Sequence, residues 1–453
     1  MTHDNKREGF SSSFGVLVAT LGSAVGLGNI WKFPALTGAN GGASFLAVYL
    51  LATLAVGLPV MIAEIALGRS ARANAVSTFE RLASGGGGFW QIIGWMSFAS
   101  ALLIMAFYSE VAGWVYAYVF KAASGALAST SPEVASRTFG ALVTDPVQSL
   151  IWQWVVLAIC GTIIAMGVTR GIEAVTRKLM PLLFILLIVL CIRSLTLPGA
   201  IDGLVFLFKP DFSLITPDVV LVALGLAFFK LSIGMGCMLT YGSYFRADQN
   251  IPSTALRVML ADLSVSLLAG IAIFPAVFAF GFEPAAGPSL VFMTIPAVFT
   301  SMPGGTLFMT LFFVLTAVAS VGAILSLLEV PMAIFSERLG VSRRQTAVAL
   351  VLSIALVGAP AALSNSSMAA FKPFGMTVFD LYDFVTSNLL LPLGGILICL
   401  FVAWNWGLPR LLAQISNDGA LPNAIIARAV FRLVQWVAPV LIAIVLLHGL
   451  KVF

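Results

Sequence analysis

The sequence predicts an all-α polytopic membrane protein. Of its 453 residues, 60% are hydrophobic and 9% are charged, whereas about a quarter of the residues in a soluble globular domain are charged. Apolar stretches of about 20 residues, the length that crosses the hydrocarbon core as a helix, recur eleven times along the chain. Composition and periodicity therefore exclude an ordinary soluble fold.

The eleven predicted spans are joined mostly by short connections. They lie near 11–38, 42–67, 89–121, 148–168, 174–196, 217–243, 255–283, 305–338, 345–364, 378–405 and 430–451. The longer connection 122–147 is rich in Ser, Ala and Thr, and we expect it to be solvated and external. The stretch from Pro288 to Pro303 is too short to span, and we expect a re-entrant or capping loop.

Basic residues give the predicted orientation. With the N-terminus inside, 16 of the 24 Lys and Arg residues fall on or near the cytoplasmic face, as the positive-inside rule requires. We therefore expect a cytoplasmic segment 1–10, a C-terminus on the external side, and insertion in the inner (plasma) membrane. Because this polar segment precedes no short apolar core with a cleavage site, we expect the first apolar stretch to remain as a span.

Cysteine and histidine usage points away from metal or redox chemistry. The cysteines form no CxxC pair, and they lie far apart in apolar stretches, at Cys160, Cys191, Cys237 and Cys399. His3 and His448 stand at opposite ends of the chain. This pattern leads us to expect no enzyme activity, no metal and no cofactor. The net charge of +5 is explained by basic cytoplasmic loops, so we also expect no nucleic-acid partner. The expected surrounding is the lipid bilayer.

Two spans carry glycine-rich interruptions. The first contains Gly22 to Asn29 near its centre, and the sixth contains Lys230 to Gly236. Interrupted helices at corresponding places are typical of transporters built from two inverted repeats, with the binding site at the breaks. Close packing through small residues is the alternative interpretation. We expect one transporter domain over 1–453, with repeats at 11–196 and 217–405 and an eleventh helix at 430–451.

The motifs around these interruptions resemble the neurotransmitter:sodium symporter family. The resemblance rests on GSAVGLGNIWKFP, EIALGR, FYSEVAGW, FFKLSIGMG and LLEVP, at 22–34, 64–69, 107–114, 228–236 and 327–331. It implies the leucine-transporter-type fold, a 5+5 inverted repeat with broken first and sixth helices. It also implies secondary active transport by alternating access, with a central site between the first, third, sixth and eighth helices.

The resemblance implies a substrate site made of unwound backbone and a few side chains. Tyr108 would donate to a substrate carboxylate, Phe229 would close over the substrate, and Lys230 would attract the carboxylate if charged. Gly26 stands where monoamine carriers of the family have an aspartate, which favours an amino acid that brings its own carboxylate. The mostly aliphatic lining favours an apolar side chain. The implied residues are Ser23, Ala24, Gly26, Leu27, Gly28, Ile104, Tyr108, Phe229, Lys230, Ser232, Met235, Ser326 and Leu327.

Two gates and a flexible helix also follow from the resemblance. The extracellular gate would consist of Lys32 and Asp383 with Tyr108 and Phe229. The cytoplasmic gate would comprise Arg7, Glu337, Ser243 and Tyr244, and helix unwinding in the fifth span would involve Gly171 and Pro181. Glu64 would brace helices. An ordinary interfacial charge is the alternative for each charged gate residue.

Both sodium sites that the resemblance implies are altered. The first keeps Ala24 and Asn29, but Lys230 replaces a threonine and Asp262 replaces an asparagine. The second keeps carbonyl ligands at Gly22, Val25 and Ala319, whereas its two hydroxyl ligands are replaced by Gly322 and Ala323. In the implied chloride region Tyr49 and Ser266 remain, but Leu226 replaces a glutamine. We expect sodium to bind poorly and chloride not to be required.

Lys230 and Asp262 are predicted to pair, because an unpaired charge inside a membrane costs roughly 2.5–3.5 kcal/mol on insertion scales. A fixed pair that replaces sodium and a pair that exchanges a proton during transport remain equal alternatives. We expect sodium-independent amino-acid transport, coupled to protons or running as exchange. A conventional sodium symporter and a transport-inactive nutrient sensor are the alternative functions. For Glu110, which lies on a different face from Tyr108, we favour a structural hydrogen bond over a proton relay.

Overall fold

The computed structural model describes residues 8–85, 88–127, 132–281 and 290–452, and helices make up most of this part of the chain. The first nine helices are α1 (Ser13–Ala24), α2 (Gly28–Ala39), α3 (Ala43–Ala71), α4 (Ala75–Leu82), α5 (Gln91–Ala123), α6 (Pro132–Val143), α7 (Pro146–Ala165), α8 (Val168–Leu195) and α9 (Ala200–Phe208). The rest are α10 (Pro217–Lys230), α11 (Cys237–Gly242), α12 (Ile251–Ala279), α13 (Val291–Thr300), α14 (Gly305–Leu339), α15 (Arg343–Ala362), α16 (Val378–Trp406), α17 (Leu408–Ser416) and α18 (Ala424–Gly449).

Within these ranges, nine helices are long and apolar enough to cross a membrane, namely α3, α5, α7, α8, α12, α14, α15, α16 and α18. Helices α1 and α2 form a tenth span if this pair, bent by 52°, is counted as one. The predicted sixth span is divided between α10, of 14 residues, and α11, of six. The predicted spans thus coincide with helices, while the count of eleven stays a prediction.

The two helix interruptions contact each other. Helix α1 ends at Ala24, and the side chain of Asn29 accepts a hydrogen bond from the Gly26 N–H at 3.1 Å inside the break. Between α10 and α11, Ser232 adopts φ 53°. Its hydroxyl donates to the Ser23 carbonyl at 2.8 Å. Backbone groups that a continuous helix would use are therefore held by contacts between the breaks, as buried backbone polar groups require.

Glu64 of α3 braces the second interruption. Its carboxylate accepts the Gly234 N–H at 2.7 Å, and Gly234 has φ 81°. That left-handed backbone favours glycine, since a β-carbon is strained there. A β-carbon would also lie 2.6 Å from the Leu391 carbonyl oxygen of α16. The break between α10 and α11 is thus fixed by a side chain from α3 and by close contact with α16.

The long helices α5 and α14 pack against each other at the centre of the bundle. Most of their residues are buried, including Ile104, Tyr108 and Leu327. Helix α18, by contrast, buries only 22% of its most apolar window. An apolar helix with little protein contact suits the lipid boundary. Ile104, Tyr108 and Leu327 therefore lie in the interior of the bundle.

The connection 122–147, predicted to be solvated, is exposed along one face and buried along another. Residues 132–143 form α6, in which Leu142 is fully buried and the Phe139 ring stacks on Phe292 of α13 with centroids 4.8 Å apart. Ala135, Phe139, Leu142 and Val143 are buried at helical spacing along one face of α6, as an amphipathic helix requires. The described part of 288–303 forms α13, whose apolar side chains are largely buried. Residues 128–131 and 282–289 lie outside the described ranges.

Candidate substrate and ion-binding site

A small cavity lies where the two helix breaks meet α5 and α14. Its volume is about 30 Å³, and it is lined by Ser23, Ala24, Gly26, Gly28, Ile104, Tyr108, Phe229, Lys230, Ser232, Met235, Ala323 and Leu327. Eleven of the thirteen residues implied by the resemblance lie around it, and Leu27 and Ser326 do not. The Ser326 hydroxyl instead donates to the Ala323 carbonyl at 2.8 Å. Ala323, which the sequence assigned to the second ion site, joins the cavity wall.

Tyr108 is positioned by the first helix break. Its hydroxyl oxygen accepts the Leu27 N–H at 2.9 Å, so its own O–H remains available to donate. Helix α2 begins at Gly28, next to this hydroxyl, and the positive end of a helix dipole favours a negative group. A phenolic donor and a helix N-terminus together suit a carboxylate.

Gly26 leaves no room for a side chain. A β-carbon there would lie 2.8 Å from the Tyr108 hydroxyl oxygen and 2.9 Å from the Ala323 β-carbon. Contacts this short would force α5 and α14 away from α1. The packing therefore explains why a carboxylate-bearing residue does not stand at this position.

Lys230, at the end of α10, lies in a buried polar cluster. Its Nζ is 2.9 Å from Oδ2 of Asp262 and 3.1 Å from the Tyr49 hydroxyl, and it also donates to the Ser266 hydroxyl. The side chains of both Lys230 and Asp262 are at most 1% exposed. These three partners match the three N–H donors of an ammonium group.

Asn29 connects this cluster to the first helix break. Its amide donates to Oδ1 of Asp262 at 2.7 Å and to the Ser266 hydroxyl at 3.1 Å, while its Oδ1 accepts from Gly26. The cluster thus joins the start of α2, the end of α10 and the middle of α12. A change at any one of these residues alters how the two breaks are held.

The ammonium of Lys230 is held by protein groups beside the cavity. The cavity contacts its aliphatic stem, whose Cγ lies 3.7 Å from the position a β-carbon of Gly28 would take. Its three donors are already used by protein groups. That a charged Lys230 attracts a substrate carboxylate stays a prediction.

At the implied second ion site, α1 and α14 are in direct contact. A β-carbon at Gly322 would lie 2.4 Å from the Gly22 carbonyl oxygen. Such close approach of two backbones is what small residues permit in membrane helices. Ala319 and Ala323 are buried or partly buried on the same helix and carry no side-chain oxygen. Val25 lies at the end of α1, where its N–H bonds to the Leu21 carbonyl.

The implied extracellular gate pair is not formed. Lys32 Nζ lies 4.1 Å above the Phe229 ring, a cation–π contact. Asp383 accepts a hydrogen bond from Ser387 at 2.8 Å, and no ion pair between Lys32 and Asp383 is present in the described part of the chain. Lysine is a flexible point charge without the fork that holds arginine on a carboxylate. Its ammonium instead lies over the aromatic ring of Phe229.

The implied cytoplasmic gate is described only in part. Arg7 lies outside the described residues. Glu337 accepts two hydrogen bonds from Asn74, from its N–H at 3.0 Å and its amide at 2.9 Å. Ser243 donates its hydroxyl to the Thr240 carbonyl. The gate as a whole stays a prediction.

A buried ion pair beside Tyr244 was missed. The Tyr244 hydroxyl donates to Glu329 at 2.6 Å, and the Arg343 guanidinium bonds both oxygens of the same carboxylate, at 2.9 and 2.6 Å. Glu329 is fully buried. The sequence offered a signal, since Glu329 stands inside the apolar motif LLEVP, and a glutamate in such a segment requires a partner.

The fifth span is continuous at the residues implied to unwind. Gly171 lies in the wide first turn of α8, and Pro181 lies inside the same helix. A β-carbon at Gly171 would be 2.1 Å from the Ile163 carbonyl oxygen, so this glycine permits close approach to α7. Unwinding of this segment during transport stays a prediction.

Glu110 does not make the structural hydrogen bond that we favoured. It is fully buried in α5, and neither carboxyl oxygen has a hydrogen-bond partner among the described residues. A helix packed in apolar surroundings supplies few donors, because its own N–H groups are used in the helix. The expectation of a structural hydrogen bond is wrong in this arrangement.

Comparison with known proteins agrees with this geometry. Residues 7–139 and 137–453 match the model of the Sodium:neurotransmitter symporter family. The chain belongs to the sodium:neurotransmitter symporter family. Members similar to it include an uncharacterized sodium-dependent transporter of Bacillus subtilis, YhdH, which is 40% identical over 97% of both chains. An uncharacterized sodium-dependent transporter of Haemophilus influenzae is 35% identical over 89% of this chain and 91% of its own length.

A solved member of the family shares the whole architecture. The crystal structure of MhsT in complex with L-phenylalanine is 42% identical, covers 98% of this chain and 100% of its own, and superposes with a TM-score of 0.89. This chain therefore has the leucine-transporter fold. As a member of the family it is a multi-pass membrane transporter and not an enzyme.

Proposed function

We propose that this protein moves an amino acid with an apolar side chain across the inner (plasma) membrane by alternating access, without sodium. The substrate class is supported by the cavity, which combines the Tyr108 hydroxyl and the N-terminus of α2 with Ile104, Met235 and Leu327. It is also supported by the similarity to MhsT, whose structure contains L-phenylalanine.

The buried ammonium of Lys230 carries the sodium-independent part of the proposal. At the implied first sodium site this cation contacts Asp262, Tyr49 and Ser266. A sodium ion at the same place would be repelled by a charge of the same sign at close range. The residues present therefore do not fit a sodium ion there, and a protein cation takes its place between the breaks.

The second implied site fits an ion no better. Carbonyl oxygens at Gly22, Val25 and Ala319 remain, but the two hydroxyl ligands are missing, and Gly322 packs against the Gly22 carbonyl. The pair of Lys230 and Asp262 offers both charges that sodium and chloride would otherwise bring. With neither ion required, transport runs on a proton gradient or as amino-acid exchange.

The proposed cycle uses the broken helices as the moving parts. Two inverted repeats, 11–196 and 217–405, would rock around the cavity, with 430–451 as an outer helix, the N-terminus in the cytoplasm and the C-terminus outside. The lid Phe229 and the Lys32 ammonium above it would close the external side. The cytoplasmic side would open at the segment near Tyr244 and Glu337.

The experiment is uptake of labelled L-phenylalanine into proteoliposomes with sodium replaced by choline or potassium on both sides. We expect uptake to continue in choline. Complete loss of uptake without sodium would refute the proposal and favour conventional sodium symport, which the names of the Bacillus and Haemophilus relatives suggest. Ligand binding without net accumulation or exchange would favour a nutrient sensor.

A matched variant makes the test specific to the ion site. Lys230→Thr with Asp262→Asn removes both charges and restores oxygen donors beside Asn29. We expect sodium to stimulate binding or uptake in this double variant and not in the wild type. Equal sodium responses in the two proteins would show that the lysine does not exclude the ion.

A further inference from the structure

Glu110 is a buried acid that the proposed transport site does not use. It lies in α5 with no exposed surface, and both of its carboxyl oxygens lack a hydrogen-bond partner in the described ranges. No ion pair to its carboxyl is present among the described residues. Its surroundings differ from those of Asp262, which has an ammonium 2.9 Å away.

Helix geometry tells which elements surround this carboxyl. Glu110 lies four residues after Ala106 and four before Trp114, so the three share one face of α5. Ala106 contacts α15, because a β-carbon at Gly358 would lie 2.7 Å from its carbonyl oxygen. The Trp114 ring stacks on Phe379 of α16, with centroids 6.0 Å apart. The Ala106 carbonyl also accepts a hydrogen bond from Gln153 of α7, and the Trp114 ring also contacts rings of α6 and α13. Glu110 therefore lies on a face of α5 that is packed by α15, α16 and these helices, and it does not line the substrate cavity.

The charged groups on the elements around α5 are engaged elsewhere or lie at helix ends. Glu329 of α14 pairs with Arg343 of α15, and Glu80 of α4 lies 3.6 Å from Arg338. On α16, Asp380 accepts from Thr377 and Asp383 accepts from Ser387. The remaining ones are at helix ends or exposed, at Arg81, Glu133, Arg137, Asp145, Glu337 and Arg344. None of these groups forms a hydrogen bond with the Glu110 carboxyl in the described part of the chain.

An ionised carboxylate in this position would have neither donors nor a cation to replace its hydration. Transfer of an isolated carboxylate into an apolar interior costs so much that the group takes up a proton instead. The closed arrangement seen here therefore holds Glu110 as the neutral acid. In contact with water the same side chain is ionised at neutral pH.

We propose that Glu110 is a proton-binding site of the carrier, loaded when α16 packs against α5 and emptied when the two helices separate. Helix α16 carries Phe384 and Ser387, which line a cavity of about 520 Å³ together with the lid Phe229 and Lys32. Opening that side moves the helix that covers Glu110. Water then reaches the carboxyl, which releases its proton to the side that is open.

This inference rests on the proposed function for its consequence, since the proton it binds would be the coupling ion. It adds a named residue to that coupling, at a place distinct from the pair of Lys230 and Asp262. The carboxyl needs no contact with the substrate. A change in the packing of α16 is sufficient to link substrate transport to proton release from Glu110.

The first test is infrared spectroscopy of the full-length protein in lipid nanodiscs at neutral pH. We expect the wild type to show the carbonyl stretch of a protonated carboxyl that is missing in Glu110→Gln. The matched control is Glu133→Gln, an exposed residue of α6, which should keep the band. A wild type without the band, or a band unchanged in Glu110→Gln, would overturn the proposal.

The second test is the pH dependence of L-phenylalanine uptake in proteoliposomes. We expect uptake by the wild type and Glu133→Gln to change with external pH, whereas Glu110→Gln should lose that dependence and keep measurable binding. A retained pH dependence in Glu110→Gln would overturn the release step. The infrared comparison needs neither ligand nor transport, so it decides the proton site even where sodium proves necessary and the proposed function fails.

Discussion

Replacing Asp262 by asparagine removes the carboxylate 2.9 Å from a fully buried ammonium. The Lys230 Nζ keeps the Tyr49 and Ser266 hydroxyls, but no anion among the described residues would then balance its charge. Breaking a buried ion pair by removing one partner costs about 3–5 kcal/mol. We therefore expect Asp262→Asn to lower the stability of the folded protein by about that amount.

The double variant Lys230→Met with Asp262→Asn should be less destabilised than the sum of its single changes. Replacing both members of a buried pair by uncharged groups is often neutral, so we expect a coupling free energy of about 1–3 kcal/mol. The double-mutant cycle isolates this term from general effects of substitution in the core. It also separates the ion pair from the hydrogen bond that Asn29 donates to residue 262.

The four cysteines provide the assay, because all of them are buried and free. A thiol-reactive fluorophore in mild detergent reports unfolding as these thiols become accessible. The control is Asp248→Asn, which breaks an exposed pair with Arg246 whose side chains are 49% and 67% exposed; such pairs contribute little. An Asp262→Asn protein as stable as the control, or a double variant with additive losses, would refute the reasoning.

Three further changes test other parts of the site. Tyr108→Phe removes the hydroxyl that would donate to a substrate carboxylate, and hydrogen bonds to charged groups contribute about 1.5–3 kcal/mol. The affinity for L-phenylalanine, measured by calorimetry, should therefore fall roughly 10- to 150-fold. An unchanged affinity would contradict this role. Gly322→Ser places a β-carbon 2.4 Å from the Gly22 carbonyl oxygen, so α1 and α14 must separate. The free energy of unfolding in the thiol assay should therefore drop by about 1–3 kcal/mol. No loss of stability would show that the two helices are loosely packed. The amide and N–H groups of Gln148 hold the pKa of Asp145 below its ordinary value. The stabilisation of the α7 start is therefore present above the unfolded-state pKa and is lost as pH falls through the lower folded pKa. In Asp145→Asn, the protection of that turn against hydrogen exchange should no longer decrease at acid pH. An unchanged pH profile would show that another group causes the acid dependence.

The positions of the spans and the identity of the cavity residues follow from the sequence. Hydrophobicity is a local property, so a run of apolar residues defines a membrane helix without reference to its neighbours. Glycine-rich interruptions at 22–29 and 230–236 likewise act locally, because glycine permits the backbone conformations that leave a helix. Two of the motifs that carry the family resemblance, at 22–34 and 228–236, lie at these interruptions, and those at 64–69, 107–114 and 327–331 lie in other spans. Eleven of the thirteen implied pocket residues accordingly lie around one cavity.

The pair of Lys230 and Asp262 was predicted from the sequence and is formed, but tertiary structure alone decided which other polar groups meet. Lys32 lies over Phe229 and not on Asp383, and the Lys230 ammonium also contacts the Tyr49 and Ser266 hydroxyls. These choices depend on helices far apart in sequence and on rotamers set by packing, which composition and spacing do not encode. Glu110 is a further contact that the sequence did not determine, since a lone glutamate in an apolar span predicts a partner. Only the arrangement of α5, α15 and α16 reveals that none of the described residues supplies one, because donors in packed helices are already used within the helices.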